Sequence, residues 1–284
     1  MIPQYSHDVV TSVTMWLDSL LLVEGQAYVN VSGALYLQPV VAGQPYTYTS
    51  PYRSWVYDRC ATGAVIPSGF NNASGQFLTR ESGLVIDFVN GRVLSPNNWG
   101  PQLNGSYARK EVNVYYSSDQ EVQYVLEQVQ NENKNLTYGL TGLVRPGMPQ
   151  KMLAAPLVML TNARGKNHPF ALGGMDNSKN NVRAFVITDS NYLQEGVNSL
   201  IQDQAHTTIP FAPYSAWPLT TSGDLKAVSG WSYCRDIYDA IGCDGGLYME
   251  GIIGYKISEK VNRNTTFFIS MCDIQLSKPR FTRV

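Results

Sequence analysis

The sequence carries little charge. Its 284 residues include 21 Lys and Arg against 22 Asp and Glu, so 15% are charged and the formal net charge is −1. Soluble domains usually carry about 25%. This balance excludes a basic nucleic-acid binder and an acidic tail protein, and the 44% of apolar residues excludes a disordered chain. A surface so poor in charge favours a protein that belongs to an assembly.

Residues for metal and nucleophile chemistry are scarce. None of the three histidines lies at a metal-ligand spacing, the four cysteines form no C-x-x-C pair, and the chain has no phosphate-binding fingerprint. The sequence therefore predicts a protein that is not an enzyme, with no catalytic, cofactor-binding or metal-binding residue. It also predicts four reduced thiols, with a Cys234–Cys243 bond as an open alternative. The residues concerned are His7, His168, His206, Cys60, Cys234, Cys243 and Cys272.

One acidic cluster keeps a hydrolase hypothesis open. Asp236, Asp239 and Asp244 lie close along the chain, and Glu250 follows shortly after them. Glycoside hydrolysis requires two carboxylates at a set separation. Because most chains of this length contain such a pair, the pattern has little specificity.

Long hydrophobic runs are missing as well. The first residues have neither the basic nor the apolar segment of a signal peptide. No stretch approaches the roughly 18 consecutive apolar residues of a membrane span. The sequence therefore predicts neither secretion nor a membrane partner.

Aromatic residues, by contrast, are plentiful. The chain has 18 Tyr, and five aromatic side chains fall close together: Tyr46, Tyr48, Tyr52, Trp55 and Tyr57. Tyr and Trp are enriched in protein interfaces, which makes these five residues candidate interface residues. Two other interpretations stay open, namely the core of a β-domain and a platform that binds sugars.

The first element is predicted to be a helix. Ser6 is a candidate N-cap, Asp8 suits the first turn, and Gly25 is a plausible end. Apolar residues recur at helical spacing, which gives one wide apolar face. Four of them are candidate interface residues for a neighbouring subunit: Val9, Val13, Trp16 and Leu20. Deleting the helix is then expected to weaken assembly more than folding.

The next hundred residues have the pattern of a β-domain. Short apolar runs are broken by Gly, Pro, Asn and Ser every eight to twelve residues or so, as in sandwiches and barrels. Asn90-Gly91 stands between two strand-like runs and predicts a type I′ hairpin. A capping box at Ser118 and Glu121 opens a second helix.

The remainder of the chain is predicted to be α+β. A strand over 155–160, a strand over 182–188, a helix capped by Ser190 and a late hairpin follow one another. The predicted fold class is thus α+β and β-rich: an N-terminal helix, a sandwich-like or barrel-like first half, and a second half with a mixed or antiparallel sheet. The predicted divisions are the helix 1–25, a β-rich domain 26–130, a linker or arm 131–151, and an α+β domain 152–284.

Three segments resemble virion proteins of tailed bacteriophages. The hairpin Gly83–Val93 resembles one that is common in their neck and tail proteins. The run from Ala155 through Phe170-Ala171-Leu172-Gly173-Gly174 to Asp203, and the closing Ile274–Phe281, resemble structural proteins of large phages. Together these segments cover about half of the chain, and their ordered combination is more specific than any one of them.

The resemblance implies a non-enzymatic structural protein of the neck, where head and tail join: a connector, collar or tail terminator. Its expected partners are copies of itself in a sixfold or twelvefold ring, together with portal, adaptor or tail proteins. Contact with passing DNA is expected to be non-specific, no cofactor is expected, and the expected location is the virion. A carbohydrate-binding adhesin module associated with the tail is the alternative.

Overall fold

The structure, a computed structural model, describes residues 5–130, 156–169, 175–227, 229–256 and 267–281. The predicted arm over 131–151 and the loop residues 170–174 lie outside them. The protein is α+β and β-rich, as the sequence predicts. Three α-helices are described: α1 (Tyr5–Val23), α2 (Asp119–Gln130) and α3 (Asn191–Gln202).

Seven strands form an antiparallel sheet in the order β4-β3-β7-β1-β2-β6-β5. A long pairing joins β1 and β7 within this sheet. Its register runs from Tyr28 opposite Lys110 to Tyr36 opposite Gln102. The strands are β1 (Tyr28–Leu37), β2 (Tyr46–Thr49), β3 (Gly69–Asn72), β4 (Phe77–Thr79), β5 (Val85–Asp87), β6 (Arg92–Ser95) and β7 (Gln102–Lys110).

A second sheet has six strands in the order β11-β12-β13-β10-β9-β8. It is mixed, because β8 runs parallel to β9 while every other neighbouring pair is antiparallel. Residues 157–160 of the predicted strand 155–160 begin a longer strand, and the predicted strand 182–188 is the end of another. The strands are β8 (Asn113–Tyr116), β9 (Leu157–Pro169), β10 (Met175–Thr188), β11 (Thr208–Ile209), β12 (Leu247–Lys256) and β13 (Phe268–Phe281).

The chain divides into two compact units, and the predicted domain boundaries do not match them. Unit 1 consists of Met1–Gly25, Val112–Ala216 and Ile237–Val284. Unit 2 consists of Gln26–Glu111 and Trp217–Asp236. The segment 112–130 belongs to unit 1 because β8 pairs with β9, a long-range contact that local sequence patterns do not report.

Helix α1 is confirmed, but it is buried on all sides rather than along one face. Every residue from Val9 to Leu22 is buried, and the helix contacts β8, β9, β11 and α3. Ser6 lies inside the helix, so its predicted role as N-cap is wrong. Gly25 follows the end of the helix as predicted, where a Cβ atom would lie 2.7 Å from the Leu21 carbonyl oxygen.

Both predicted caps of the later helices are confirmed. At the start of α2, the Ser118 backbone N–H donates to the Glu121 carboxylate at 2.8 Å, and the Glu121 N–H donates to Ser118 Oγ at 3.2 Å. At the start of α3, the Ser190 hydroxyl accepts from the Leu193 N–H. These caps satisfy backbone donors that a helix leaves without an internal partner.

Helices α2 and α3 cover opposite faces of the second sheet. Val122 and Val125 of α2 pack in a cluster that includes Ile269. The next residue along β13, Ser270, donates from Oγ to Asn198 Oδ1 of α3 at 2.9 Å. Since neighbouring strand residues point to opposite faces, α2 and α3 lie on different sides. In the part of the chain that the structure describes, no helix is both long and apolar enough to cross a membrane.

The β5–β6 hairpin is present, but its predicted type I′ turn is wrong. The last ladder pair is Asp87 opposite Arg92, so the loop covers 88–91 rather than only Asn90 and Gly91. Gly91 has a φ of 63°, whereas Asn90 has a negative φ. The Asp87 carboxylate accepts from the Asn90 backbone N–H at 3.0 Å and from its side-chain amide at 2.7 Å, which favours the longer loop.

Candidate functional site

The four apolar residues of α1 that the sequence proposes as an interface lie in the core of unit 1. Val9 and Val13 are 0% exposed, and Trp16 and Leu20 are 6% exposed. Side chains this buried are not available to a neighbouring subunit. The assignment of α1 to an intersubunit surface is therefore corrected: its apolar residues stabilise the unit that contains them.

The aromatic run of unit 2 is centred on Trp55, which is completely buried. Its ring stacks on Tyr107 with centroids 4.5 Å apart and lies 5.7 Å from Phe70. The indole N–H donates to the carbonyl oxygen of Tyr52 at 3.1 Å. With its polar atom satisfied and its faces covered, Trp55 is a core residue and presents no surface to a sugar or a partner.

Two of the remaining aromatic candidates are also buried. The Tyr48 hydroxyl accepts from the Trp99 N–H at 2.8 Å and donates to the Gly100 carbonyl at 3.2 Å, and burial raises its pKa. Tyr57 packs edge-on to Phe88. The interface assignment of Tyr48, Trp55 and Tyr57 is corrected to core by this burial.

Tyr52 and Tyr46 differ from the other three. Tyr52 is 41% exposed, and the guanidinium of Arg109 lies over its ring at 4.8 Å from the centroid. Tyr46 is half-buried on β2. A sugar-binding platform needs several aromatic faces open on one side, so the adhesin hypothesis loses most of the residues that motivated it.

A disulfide bond joins Cys60 and Cys234, so the prediction of four reduced thiols is wrong for this pair. The Asp58 carboxylate beside it accepts from the Cys60 N–H at 3.0 Å and from the Tyr233 N–H at 2.9 Å. The bond and these contacts fix the returning segment 217–236 to the rest of unit 2. The two cysteines are 174 residues apart, so no sequence spacing could have indicated the pairing. Cys243 and Cys272 are free thiols.

Two of the four carboxylates of the hydrolase hypothesis, those of Asp236 and Glu250, are held in separate ion pairs. Asp236 accepts from Arg235 at 2.7 Å, and this hydrogen bond lowers the pKa of Asp236. Glu250 lies 2.9 Å from the ammonium of Lys179. Asp236 belongs to unit 2 and Glu250 to unit 1. A general acid needs a raised pKa, so the arrangement of Asp236 does not favour acid catalysis.

The histidines do not form a ligand cluster in the described segments. His206 Nδ1 lies 3.3 Å from the Tyr248 hydroxyl, and His168 is exposed on β9. Within the described ranges, no group of three or more His, Cys, Asp or Glu residues is placed to hold a metal ion.

A small cleft lies between α3 and β12. Its volume is about 250 Å³, below the roughly 300–1,000 Å³ of typical ligand pockets. Glu195 and Lys256 at its wall bond to each other at 2.7 Å, and this contact lowers the pKa of Glu195. Asn198 at its floor already accepts from Ser270. The polar groups that line the cleft are thus largely engaged with one another.

More distinctive are the open edges of the second sheet. On one side, β8 pairs only with 157–160 of β9, and no described residue hydrogen-bonds to the outer backbone edge over 161–166. On the other side, β12 is paired as far as Met249, whose N–H donates to Thr207. Beyond it, the backbone of 250–256 pairs only with β13 among the described residues.

Unit 2 has a similar open edge on β1. Residues 29–34 pair with β7 on one side, and on the other no described residue hydrogen-bonds to their backbone. Exposed rows of backbone N–H and C=O groups are templates for pairing with another strand. Sequence patterns do not locate such edges, because strand order in a sheet depends on long-range pairing.

Comparison with known proteins identifies no relative of this chain. No family model matches this chain, and no curated protein is similar to it.

Proposed function

We propose that this protein is a non-enzymatic structural subunit of a tailed-phage virion. In this proposal it assembles with copies of itself into a ring in the neck, where head and tail join. The observation that carries the proposal is the set of open strand edges on β1, β9 and β12. A chain that presents such edges is suited to extending its sheets through neighbouring chains.

Apolar residues on and beside these edges support assembly. Tyr36 of β1 is 58% exposed, and Ile253 and Tyr255 of β12 are 44% and 47% exposed. Interface cores are rich in such side chains and poor in charge. The low charge of the whole sequence agrees with this, because few charged groups would have to be desolvated on association.

The arrangement of polar groups favours a structural role over catalysis. Two of the four candidate carboxylates, Asp236 and Glu250, are engaged in ion pairs, and the aromatic run at 46–57 mostly fills the core of unit 2. The placement in a phage neck depends on the resemblance of the β5–β6 hairpin and the later segments to virion proteins. That hairpin is formed in the structure, with Val85–Asp87 paired to Arg92–Leu94.

Three measurements test the proposal. Light scattering coupled to size exclusion gives the mass of the purified protein over a range of concentrations, and a ring predicts a discrete oligomer. Negative-stain images of that oligomer give its symmetry, where twelvefold favours the head side of the neck and sixfold the tail side. Antibody labelling of virions of the phage that encodes the chain should mark the junction of head and tail. A protein that stays monomeric throughout and is absent from virions would overturn the proposal.

A further inference from the structure

We infer that β9 of one copy pairs with β12 of the next, head to tail, so that the second sheet continues from subunit to subunit. This inference depends on the proposed self-assembly and specifies its interface. Both strands belong to unit 1 and lie towards opposite sides of the same sheet. Each leaves a backbone edge without a partner among the described residues, over 161–166 and 250–256.

Strand direction fits this pairing. From β12 through β13 and β10 to β9, each strand is antiparallel to its neighbour. Four alternating strands place β9 and β12 in opposite directions. When one copy follows another in the same orientation, β9 therefore runs antiparallel to the incoming β12, and antiparallel pairs are slightly more stable per residue than parallel ones.

One position of this pairing brings opposite charges together. The sequence of β9 contains Arg164, Lys166 and His168 but no acidic residue, and the open stretch of β12 contains Glu250 together with Lys256. When the open stretches are aligned antiparallel and centred on each other, Lys166 comes opposite Glu250. In the chain itself Lys166 is directly opposite Lys179, and Lys179 binds Glu250 at 2.9 Å. Lys166 and Glu250 thus project from one face of the sheet, so they would also share a face across the junction.

Two buried polar atoms in the open stretch of β9 lack a hydrogen-bond partner within the part of the chain that the structure describes, which is consistent with a missing neighbouring strand. Thr161 Oγ1 and Asn162 Oδ1 are buried and have no hydrogen-bond partner among the described residues. Buried polar groups are nearly always hydrogen-bonded in folded proteins. A strand added along 161–166 would bring further donors and acceptors next to both side chains.

A twofold dimer would either bring like charges together or leave open edges unpaired. Pairing β9 with β9 would bring Lys166 of each copy close to the basic residues of the other, and like charges across strands are destabilising. Pairing β12 with β12 would leave both β9 edges open. Head-to-tail pairing uses both edges of every copy, and a heterologous contact of this kind generates a ring when its rotation closes.

The two open edges are offset from each other along the strand direction, which inclines the strands to the axis of the ring. Through β10, the open stretch of β9 lies level with 273–277 of β13, whereas that of β12 lies level with 270–275. The centres differ by about two and a half residues, or about 8 Å along the strands. Strands that join with a constant stagger run inclined to the ring axis, as they do in closed sheets.

Disulfide trapping tests the pairing directly. Lys166→Cys is combined in one chain with Glu250→Cys, Gly251→Cys or Ile252→Cys, all in a Cys243→Ser background, and each protein is oxidised. Within one chain these positions are three strand spacings apart, about 14 Å, which is too far for a disulfide bond. We expect at least one combination to give a ladder of covalent oligomers that ends at the native ring.

Matched variants separate the alternatives. Lys166→Cys combined with Tyr192→Cys, an 87% exposed position on α3, is expected to give no ladder. A dimer from Lys166→Cys alone would show pairing of β9 with β9, and one from Glu250→Cys alone would show pairing of β12 with β12. Either dimer would overturn the inference.

Charge reversal provides a second test. Lys166→Glu and Glu250→Lys are each expected to raise the dissociation midpoint, the protein concentration at which half of the oligomer has dissociated, by about threefold to tenfold. The double swap, which combines both substitutions in one chain, is expected to restore this midpoint. Lys179→Gln, which removes only the partner of Glu250 in the same chain, should leave the midpoint near that of the natural protein. Failure of the double swap to restore assembly counts against the contact.

Hydrogen exchange completes the comparison. The amides of 161–166 that point away from β10, and those of 250–256 that point away from β13, should be protected in the oligomer and should exchange on dissociation. Protection of these outward amides of 161–166 in the monomer would show that another part of the same chain covers β9, and it would overturn the pairing. An oligomer that gives no ladder would overturn the pairing alone, whereas a natural protein that is monomeric at all concentrations would overturn the proposed function as well.

Discussion

The completely buried carboxylate of Asp87 accepts a hydrogen bond at 2.8 Å from Nε of Arg92, whose side chain is 40% exposed. The two residues form the last ladder pair of the β5–β6 hairpin. The same carboxylate also accepts from the backbone and side chain of Asn90. One buried charge therefore holds both ends of the loop 88–91.

We expect Asp87→Ala to destabilise unit 2 by about 3–5 kcal/mol, because it leaves the loop N–H and the guanidinium without their acceptor. Asp87→Asn, which keeps the shape but removes the charge, should cost less. Urea denaturation followed by Trp fluorescence measures both. A loss below about 1 kcal/mol for Asp87→Ala would show that water replaces the carboxylate.

The Cys60–Cys234 bond is expected to stabilise unit 2 by about 2–5 kcal/mol, because it restricts the unfolded chain between residues far apart in sequence. Thermal melting with and without a reducing agent should show the loss. The double variant with Cys60→Ser and Cys234→Ser should melt like the reduced protein and be indifferent to the reductant. Equal melting temperatures in both conditions would contradict this.

Cys272 should be inert toward alkylation in the folded protein. It is completely buried, and burial raises the pKa of its thiol to about 11. Because the thiolate is the nucleophile, two pKa units lower its concentration about a hundredfold. Mass spectrometry after iodoacetamide treatment should show Cys243 modified first and Cys272 only after unfolding. Equal native rates would place Cys272 at the surface.

Trp55→Ala is expected to cost about 3–5 kcal/mol of stability, as for other buried large side chains. Tyr52→Ala, at an exposed neighbour, should cost about 1 kcal/mol or less. Chemical denaturation of the two variants compares core with surface within one aromatic run. If the Trp55→Ala protein keeps its full stability and fails only in assembly, Trp55 is an interface residue and not a core residue.

Leu17→Ala, in the fully buried middle of α1, is expected to cost about 2–5 kcal/mol. Val23→Ala, at the 40% exposed end of the same helix, is the control and should change stability by about 0.5 kcal/mol or less. Circular dichroism during urea unfolding measures both. If Leu17→Ala leaves stability unchanged but prevents oligomerisation, the original assignment of α1 to an interface would be correct.

Local signals predicted local structure well. Neighbours within one helical turn determine the capping box at Ser118, the N-cap at Ser190 and the apolar periodicity of α1. The β5–β6 hairpin was found for the same reason, but its turn was not, because the buried Asp87 carboxylate outweighs the intrinsic preference of Asn90-Gly91.

Long-range pairing explains what the sequence missed. The parallel contact of β8 with β9, the Cys60–Cys234 bond and the burial of Trp55 each join distant segments. Apolar periodicity reports that a side chain is covered, but not whether its own chain or another covers it. For this reason the apolar patterns of α1 and of the run at 46–57 suit an interface and a core equally well, and no local pattern locates the open edges.

The two units interleave along the chain, and this has a consequence for biosynthesis. Unit 1 begins with α1, yet α3 and β11, which α1 contacts, leave the ribosome well over a hundred residues later, and β13 comes last of all. Until those later elements follow, part of the apolar surface of α1 lacks its native contacts, and exposed apolar surface of this kind is prone to aggregation. We therefore expect the packing of α1 to be completed only after α3 and β11 have been synthesised.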